Sequence, residues 1–195
     1  MVDLGAGTGR LTAELARSAR RVIAVELDPH LVERLRGRWA NVEVLEADAR
    51  EVELPREPFR VVANLPFHGT TEILRHLLDD PRVPLVRADL VVEWGVGVKR
   101  ALPWPSTVNG AVWGAWYSTR LSRRLPRTAF RPAPSVDAAV LVFERRSQPL
   151  VPAHRAAAYR RFVAHRFRRG RNGSGGEPRQ LDAHQWARAF AARSG

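Results

Sequence analysis

Three acidic or glycine-rich segments and one tetrapeptide carry side chains whose types and spacing suit chemistry. The first is Asp3-Leu4-Gly5-Ala6-Gly7-Thr8-Gly9. Gly5, Gly7 and Gly9 let a chain turn sharply and let a ligand approach the backbone, and a helix behind such a loop presents unpaired N–H groups. Alone the loop is weak, because nicotinamide-dinucleotide folds use a similar one. The second is Glu26, about 20 residues on, where an acid can accept both hydroxyls of a ribose. The third is Asp48 in Glu46-Ala47-Asp48-Ala49, where a carboxylate can accept from an adenine amino group or, equally, cap a helix. Together the three favour an adenosine-containing ligand. The tetrapeptide is Asn64-Leu65-Pro66-Phe67. It offers side-chain and backbone acceptors, a stiffening proline and a ring.

These residues need a scaffold that gathers the ends of several strands. Residues 1–143 read as alternating strands and helices, the pattern of a parallel α/β sheet. Strands are expected at Val2–Leu4, Arg21–Val25, Val42–Leu45, Phe59–Ala63, Ala88–Glu93, Ala115–Leu121 and Ala138–Phe143. Helices are expected at Arg10–Ala19, at Pro29–Trp39 with Asp28 as cap, and at Thr70–Leu78. Each candidate residue then falls at the C-terminal end of a strand, where open α/β sheets bind ligands. The last two strands, split by the proline-rich Arg131–Pro134, read as a terminal antiparallel pair.

Composition changes after Glu144. Residues 1–144 hold 20 basic and 18 acidic side chains, whereas residues 145–195 hold 12 arginines against Glu177 and Asp182. Most of the net charge of +12 therefore sits in the last quarter of the chain, and a field of that kind attracts a polyanion. Ala153–Arg168 reads as an arginine-rich helix, Gly170–Gly176 as a glycine-rich break and Leu181–Arg193 as a final helix. The expected division is a domain over 1–145 and a small basic helical domain over 146–195. There is no cysteine and the six histidines show no ligand spacing, so no metal is expected. No apolar run approaches a membrane span and no secretion signal opens the chain, so a soluble, cytoplasmic monomer is expected.

With the tetrapeptide goes Phe130-Arg131-Pro132-Ala133-Pro134-Ser135-Val136-Asp137. On these two segments, the glycine loop, Ala24–Asp28, Glu46–Ala49, Val91–Arg100, the basic helix and Gln185-Trp186, the chain resembles the rRNA adenine-N6 methyltransferase family. That family includes KsgA-type small-subunit and Erm-type macrolide-resistance enzymes. The resemblance implies a Rossmann-like class I methyltransferase sheet with a small C-terminal helical domain. It implies S-adenosylmethionine held by Gly5, Gly7, Gly9, Glu26, Asp48, Ala49 and Asn64. It also implies an extruded adenine whose amino hydrogens go to Asn64 and to the carbonyl of Leu65 or Pro66. Phe67 would stack on one face of the base, and Phe130 would close the other or serve as plain core. Phe67 in place of tyrosine, Val91–Trp94 with Lys99-Arg100, and the short arginine-rich C-terminal part favour the Erm type. The implied substrate is one adenine of 23S rRNA and the implied outcome is macrolide, lincosamide and streptogramin B resistance. A KsgA-type 16S enzyme, a catalytically inactive RNA binder, a DNA adenine methyltransferase and a nicotinamide enzyme are the alternatives. Family members carry some tens of residues ahead of the glycine loop, so the first domain reads as N-terminally truncated. Contacts to the methionine end of the cofactor are expected to be missing.

Overall fold

A computed structural model describes residues 1–66, 69–170 and 180–193. Phe67, Arg171 and most of the expected glycine-rich break lie outside the described residues. Seven strands form one sheet: β1 (Val2–Leu4), β2 (Val22–Glu26), β3 (Val42–Glu46), β4 (Phe59–Asn64), β5 (Leu85–Glu93), β6 (Tyr117–Leu125) and β7 (Ala138–Arg145). Their order is β3-β2-β1-β4-β5-β7-β6. The first five pair in parallel, and β7 enters antiparallel between β5 and β6. The expected antiparallel pair is therefore present.

The inner strands are apolar because both faces are covered. Val2, Leu4, Val61, Ala63, Ala88 and Leu90 are all buried. The chain builds outward from β1 through β2 to β3, then returns to β4 on the other flank of β1, where Val2 lies opposite Val61. That reversal is a topological switch point, and it opens a crevice beyond the ends of β1 and β4.

Helix α1 (Arg10–Ser18) turns Thr12 and Leu15 inward, and α2 (Pro29–Leu35) begins with Asp28 accepting from the His30 N–H at 2.9 Å. It stops four residues before the expected Trp39 because Gly37 takes φ 70°. Helix α3 (Thr70–Leu78) follows β4 and buries Ile73, Leu74, Leu77 and Leu78. Two helices escape the sequence pattern, α4 (Trp94–Ala101) and α5 (Val108–Trp113). Glycine in α4 is a packing requirement: a Cβ on Gly97 would meet the Ala139 Cβ at 2.9 Å and Leu121 Cδ2 at 3.0 Å.

The C-terminal helices α6 (Ala156–Gly170) and α7 (Ala183–Ala191) pack on the same continuous core as the sheet. Trp116 meets Tyr159 edge-on at 5.9 Å, Tyr159 meets Phe190 at 5.2 Å, and Phe167 stacks on Trp186 at 5.6 Å. Asp79, just past α3, ties the parts together. Its Oδ1 accepts from Trp113 Nε1 at 2.7 Å and from Arg160 Nη2 at 2.5 Å. Among the described residues no helix is long and apolar enough to cross a membrane, and no cluster of potential metal ligands occurs.

Candidate active site

Residues 5–9 run directly out of β1. Gly5 and Ala6 donate their N–H groups to the Val25 carbonyl at 2.8 and 3.0 Å, which folds the loop against the end of β2. Gly5, Gly7 and Gly9 have φ of 72°, 57° and 80°, a region side chains rarely adopt. They serve different ends. A Cβ on Gly5 would meet nothing, since it faces open space, whereas one on Gly9 would strike Leu35 Cδ2 at 2.4 Å. Gly9 thus lets α1 start against α2, and Gly5 leaves room for a ligand.

Glu26 closes the loop from the side. Its Oε2 accepts from the Gly7 N–H at 2.7 Å, and its Oε1 accepts from the Leu27 and Asp28 N–H groups at 2.8 and 3.0 Å. The carboxylate is thereby aimed before any ligand arrives, and Oε2, with one bond accepted, keeps acceptor capacity. Asp48 makes an Asx turn with the Arg50 N–H at 2.8 Å and a two-pronged pair with the Arg50 guanidinium. That guanidinium lowers its pKa to about 2, so Asp48 is an obligate acceptor near neutrality. No helix follows it; Glu51 and Val52 close a turn onto its carbonyl.

The cleft these residues line, with Ala49, Asn64 and Leu65, measures about 530 Å³. A second cleft of about 510 Å³ is lined by Asp3, Gly7, Arg10, Phe130 and Pro132. Gly5 and Asn64 line both. They are the residue just beyond β1 and the last residue of β4, the two strands at the switch point.

Asn64 is exposed at the strand end, and its side chain makes no hydrogen bond among the described residues. Leu65 is buried, and its N–H donates to the Val91 carbonyl at 3.0 Å, which fixes the loop to β5. The Pro66 carbonyl already accepts from Thr70 Oγ1 at 2.8 Å. Of the two carbonyls the sequence leaves open, Leu65 has the freer one among the described residues. Phe130 is half-buried on the second cleft and stands outside the hydrophobic core among the described residues. Asp137 holds its loop, accepting from the Arg127 N–H at 2.9 Å and from Arg124 Nη2 at 2.7 Å. Phe67 lies outside the described residues.

The sequence reading missed Asp3. It is 1% exposed and accepts from Thr12 Oγ1 at 2.6 Å. Burial pushes its pKa up to about 6, against the Thr12 hydrogen bond, and the Glu26 charge adds to the rise. A buried acid at a strand end carries no local signature; only its position at β1 beside the glycine loop pointed to it. Because the folded-state pKa lies above the usual 3.8, the unfolded chain releases this proton first as pH rises. The stability tied to Asp3 is therefore full below about pH 4, falls between about pH 4 and 6, and stays low above, by roughly 3 kcal/mol. Thermal melts of Asp3→Asn and the unchanged chain are expected to coincide near pH 4 and to separate by pH 7, with the variant the more stable. Curves that separate equally at both pH values would refute this.

The order of strands, with the last one inserted antiparallel and a ligand crevice at the switch point, defines a Rossmann-like methyltransferase fold. The same fold is seen in the crystal structure of the 23S rRNA methyltransferase ErmE, with a TM-score of 0.79 and 26% identity, covering 100% of this chain and 90% of that one. Residues 1–173 match the family described as ribosomal RNA adenine dimethylase. The chain is 37% identical over 165 residues to an rRNA adenine N-6-methyltransferase of Corynebacterium diphtheriae, covering 84% of this chain and 64% of that protein. It is 38% identical over 164 residues to the mycinamicin-resistance protein MyrB of Micromonospora griseorubida, covering 84% of this chain and 52% of that protein. The chain belongs to the ribosomal RNA adenine dimethylase family. It spans between half and two thirds of the length of these two relatives.

Proposed function

We propose that this chain carries the catalytic site of an S-adenosylmethionine-dependent enzyme that methylates the N6 amino group of one adenine in 23S rRNA. The outcome for the cell is resistance to macrolide, lincosamide and streptogramin B drugs. The observation that carries this reading is the pair of clefts that meet at Gly5 and Asn64. One cleft has the groups for a nucleoside and the other has an aromatic wall, so a donor and a base can meet at one asparagine.

The residues present fit the cofactor. Open space at Gly5, the oriented carboxylate of Glu26 and the permanently ionised Asp48 suit a loop-bound adenosine with its ribose hydroxyls and amino group. Ala49 lines the same wall. S-adenosylmethionine, when bound, supplies an electrophilic methyl group on a sulfonium. Asp3, on the adjoining cleft, provides a buried carboxyl whose ionised form suits a cationic neighbour.

An adenine amino nitrogen is a poor nucleophile because its lone pair is delocalised into the ring. In this reading Asn64 Oδ1 and the Leu65 carbonyl accept its two hydrogens, which favours a pyramidal nitrogen and directs its lone pair. Pro66, locked to Thr70, keeps those acceptors from drifting. Phe130 closes one face of the base, and Phe67 is assigned the other. No general base is required of the tetrapeptide, since placement carries most of the effect.

We assign phosphate contact to three of the four exposed arginines of α6, Arg161, Arg168 and Arg169, rather than to Arg166, whose guanidinium lies 5.8 Å over the Phe162 ring, or to Arg160, which is tied to Asp79 and Asn109. Replacing Arg161, Arg168 and Arg169 by glutamine is expected to weaken rRNA binding and to make its salt dependence shallower by about 2 in log–log slope, with the melting temperature unchanged. Arg160→Gln should lower the melting temperature instead. A salt slope unmoved by the triple change removes α6 from the interface.

Primer extension on rRNA from cells expressing the protein tests the substrate. The expected result is a stop at one 23S adenine and none in 16S. A stop confined to 16S would move the chain to the KsgA-type reading. Absence of any stop, with cofactor binding undetectable by calorimetry on folded protein, would leave an RNA binder.

A further inference from the structure

A third cavity, of about 170 Å³, lies between the end of α4, residues 102–107, the start of β6 and Ala183. It shares no lining residue with the two clefts and sits at the other end of the sheet. There Tyr117 opens β6 opposite Arg145, whose Nε reaches the Leu85 carbonyl at the start of β5.

Its charge has one sign. Lys99, Arg100 and Arg146 line it, and no carboxylate does among the described residues. Arg100 Nη1 donates to Thr107 Oγ1 at 3.1 Å and its guanidinium lies over Trp113. Arg146 Nε donates to the Gly114 carbonyl at 2.9 Å. Both partners are neutral, and neither arginine forms an ion pair among the described residues. Asp182, whose Oδ1 accepts from the Gln185 N–H in the cap of α7, acts on Arg146 electrostatically without forming an ion pair with it among the described residues. Burial pulls both guanidinium groups below their ordinary pKa. Ser106 Oγ is buried with no hydrogen-bond partner among the described residues, and Ser106 lines the same cavity.

Half-buried cations without an ion-pair partner are costly. Two forks of N–H donors and an ammonium around a small cavity suit a tetrahedral oxyanion. We propose that this cavity binds a phosphate group. Trp104, between the lining residues Pro103 and Pro105, is 52% exposed but is not itself part of the lining. The phosphate belongs either to an RNA backbone or to a small phosphate ligand, and the site does not depend on methyl transfer.

The test is titration of the full 15N-labelled chain with inorganic phosphate, following arginine Nε–Hε signals. Saturable shifts at Arg100 and Arg146, with the exposed Arg20 and Arg60 still, are the expected result. Absence of saturation, or equal shifts at all arginines, overturns the proposal. Lys99→Gln, at an exposed position, is expected to weaken phosphate binding roughly tenfold without altering the fold. Unchanged affinity in that variant puts the ion elsewhere and also overturns it. The same variant then distinguishes the source. A salt dependence of rRNA binding shallower by about 0.7–0.9 assigns the site to one RNA phosphate. An unchanged slope, with phosphate binding lost, assigns it to a free phosphate compound.

Discussion

Asn64→Ala is expected to lower the single-turnover rate of methyl transfer by roughly 10²–10³-fold, while S-adenosylmethionine binding falls far less. The side chain is exposed at the end of β4 and lines both clefts, so its loss removes an acceptor without opening the core. Leu65 is anchored to Val91 and Pro66 to Thr70, so the backbone of the loop survives the change. Transfer of labelled methyl to an rRNA fragment measures the first effect, and calorimetry with the cofactor measures the second. Turnover equal to that of the unchanged chain would take Asn64 out of the reaction. Equal loss of cofactor binding and turnover would make it a binding residue only.

Gly9→Ala is expected to have the largest effect on stability. The backbone there has φ 80°, which costs about 1–2 kcal/mol for any residue with a Cβ. The new Cβ also strikes Leu35 Cδ2 at 2.4 Å and Trp39 at 3.0 Å, and overpacking of this kind costs about 1–3 kcal/mol. The sum, about 3 kcal/mol, should lower the melting temperature by roughly 6–12 °C. Gly5→Ala is the internal control. It carries the same backbone strain but meets no atom, so its melting temperature should fall by less. Equal losses in the two variants would show that the packing of α1 on α2 is not what Gly9 provides.

The parallel half of the sheet was legible because its strands are short apolar runs, each ending in a turn signal. Gly5, Gly7, Gly9, Glu26 and Asp48 sit where strand ends were expected. The helices after β5 were not legible. Two glycines in Trp94–Val98 and the two prolines that follow, Pro103 and Pro105, argue locally against helix, and the reason for Gly97 is a neighbour some forty residues away. β6 starts later and runs further than its apolar stretch. A register shift between Leu121 and Arg123 lets its polar end stay paired with β7. The basic excess after Glu144 also misled in part. Arg145 is consumed by the Leu85 and Pro81 carbonyls and Tyr117 Oη, and Arg160 by Asp79, so they are struts rather than free charges. Charge counts cannot separate the two uses; only the partners do.

Because Gly5 and Asn64 form a common wall, an occupant on one side completes the surface that the other must recognise. If the two clefts hold a nucleoside donor and a base as proposed, thermodynamic linkage requires symmetry: whatever factor the donor contributes to capture of the base, the base returns to retention of the donor.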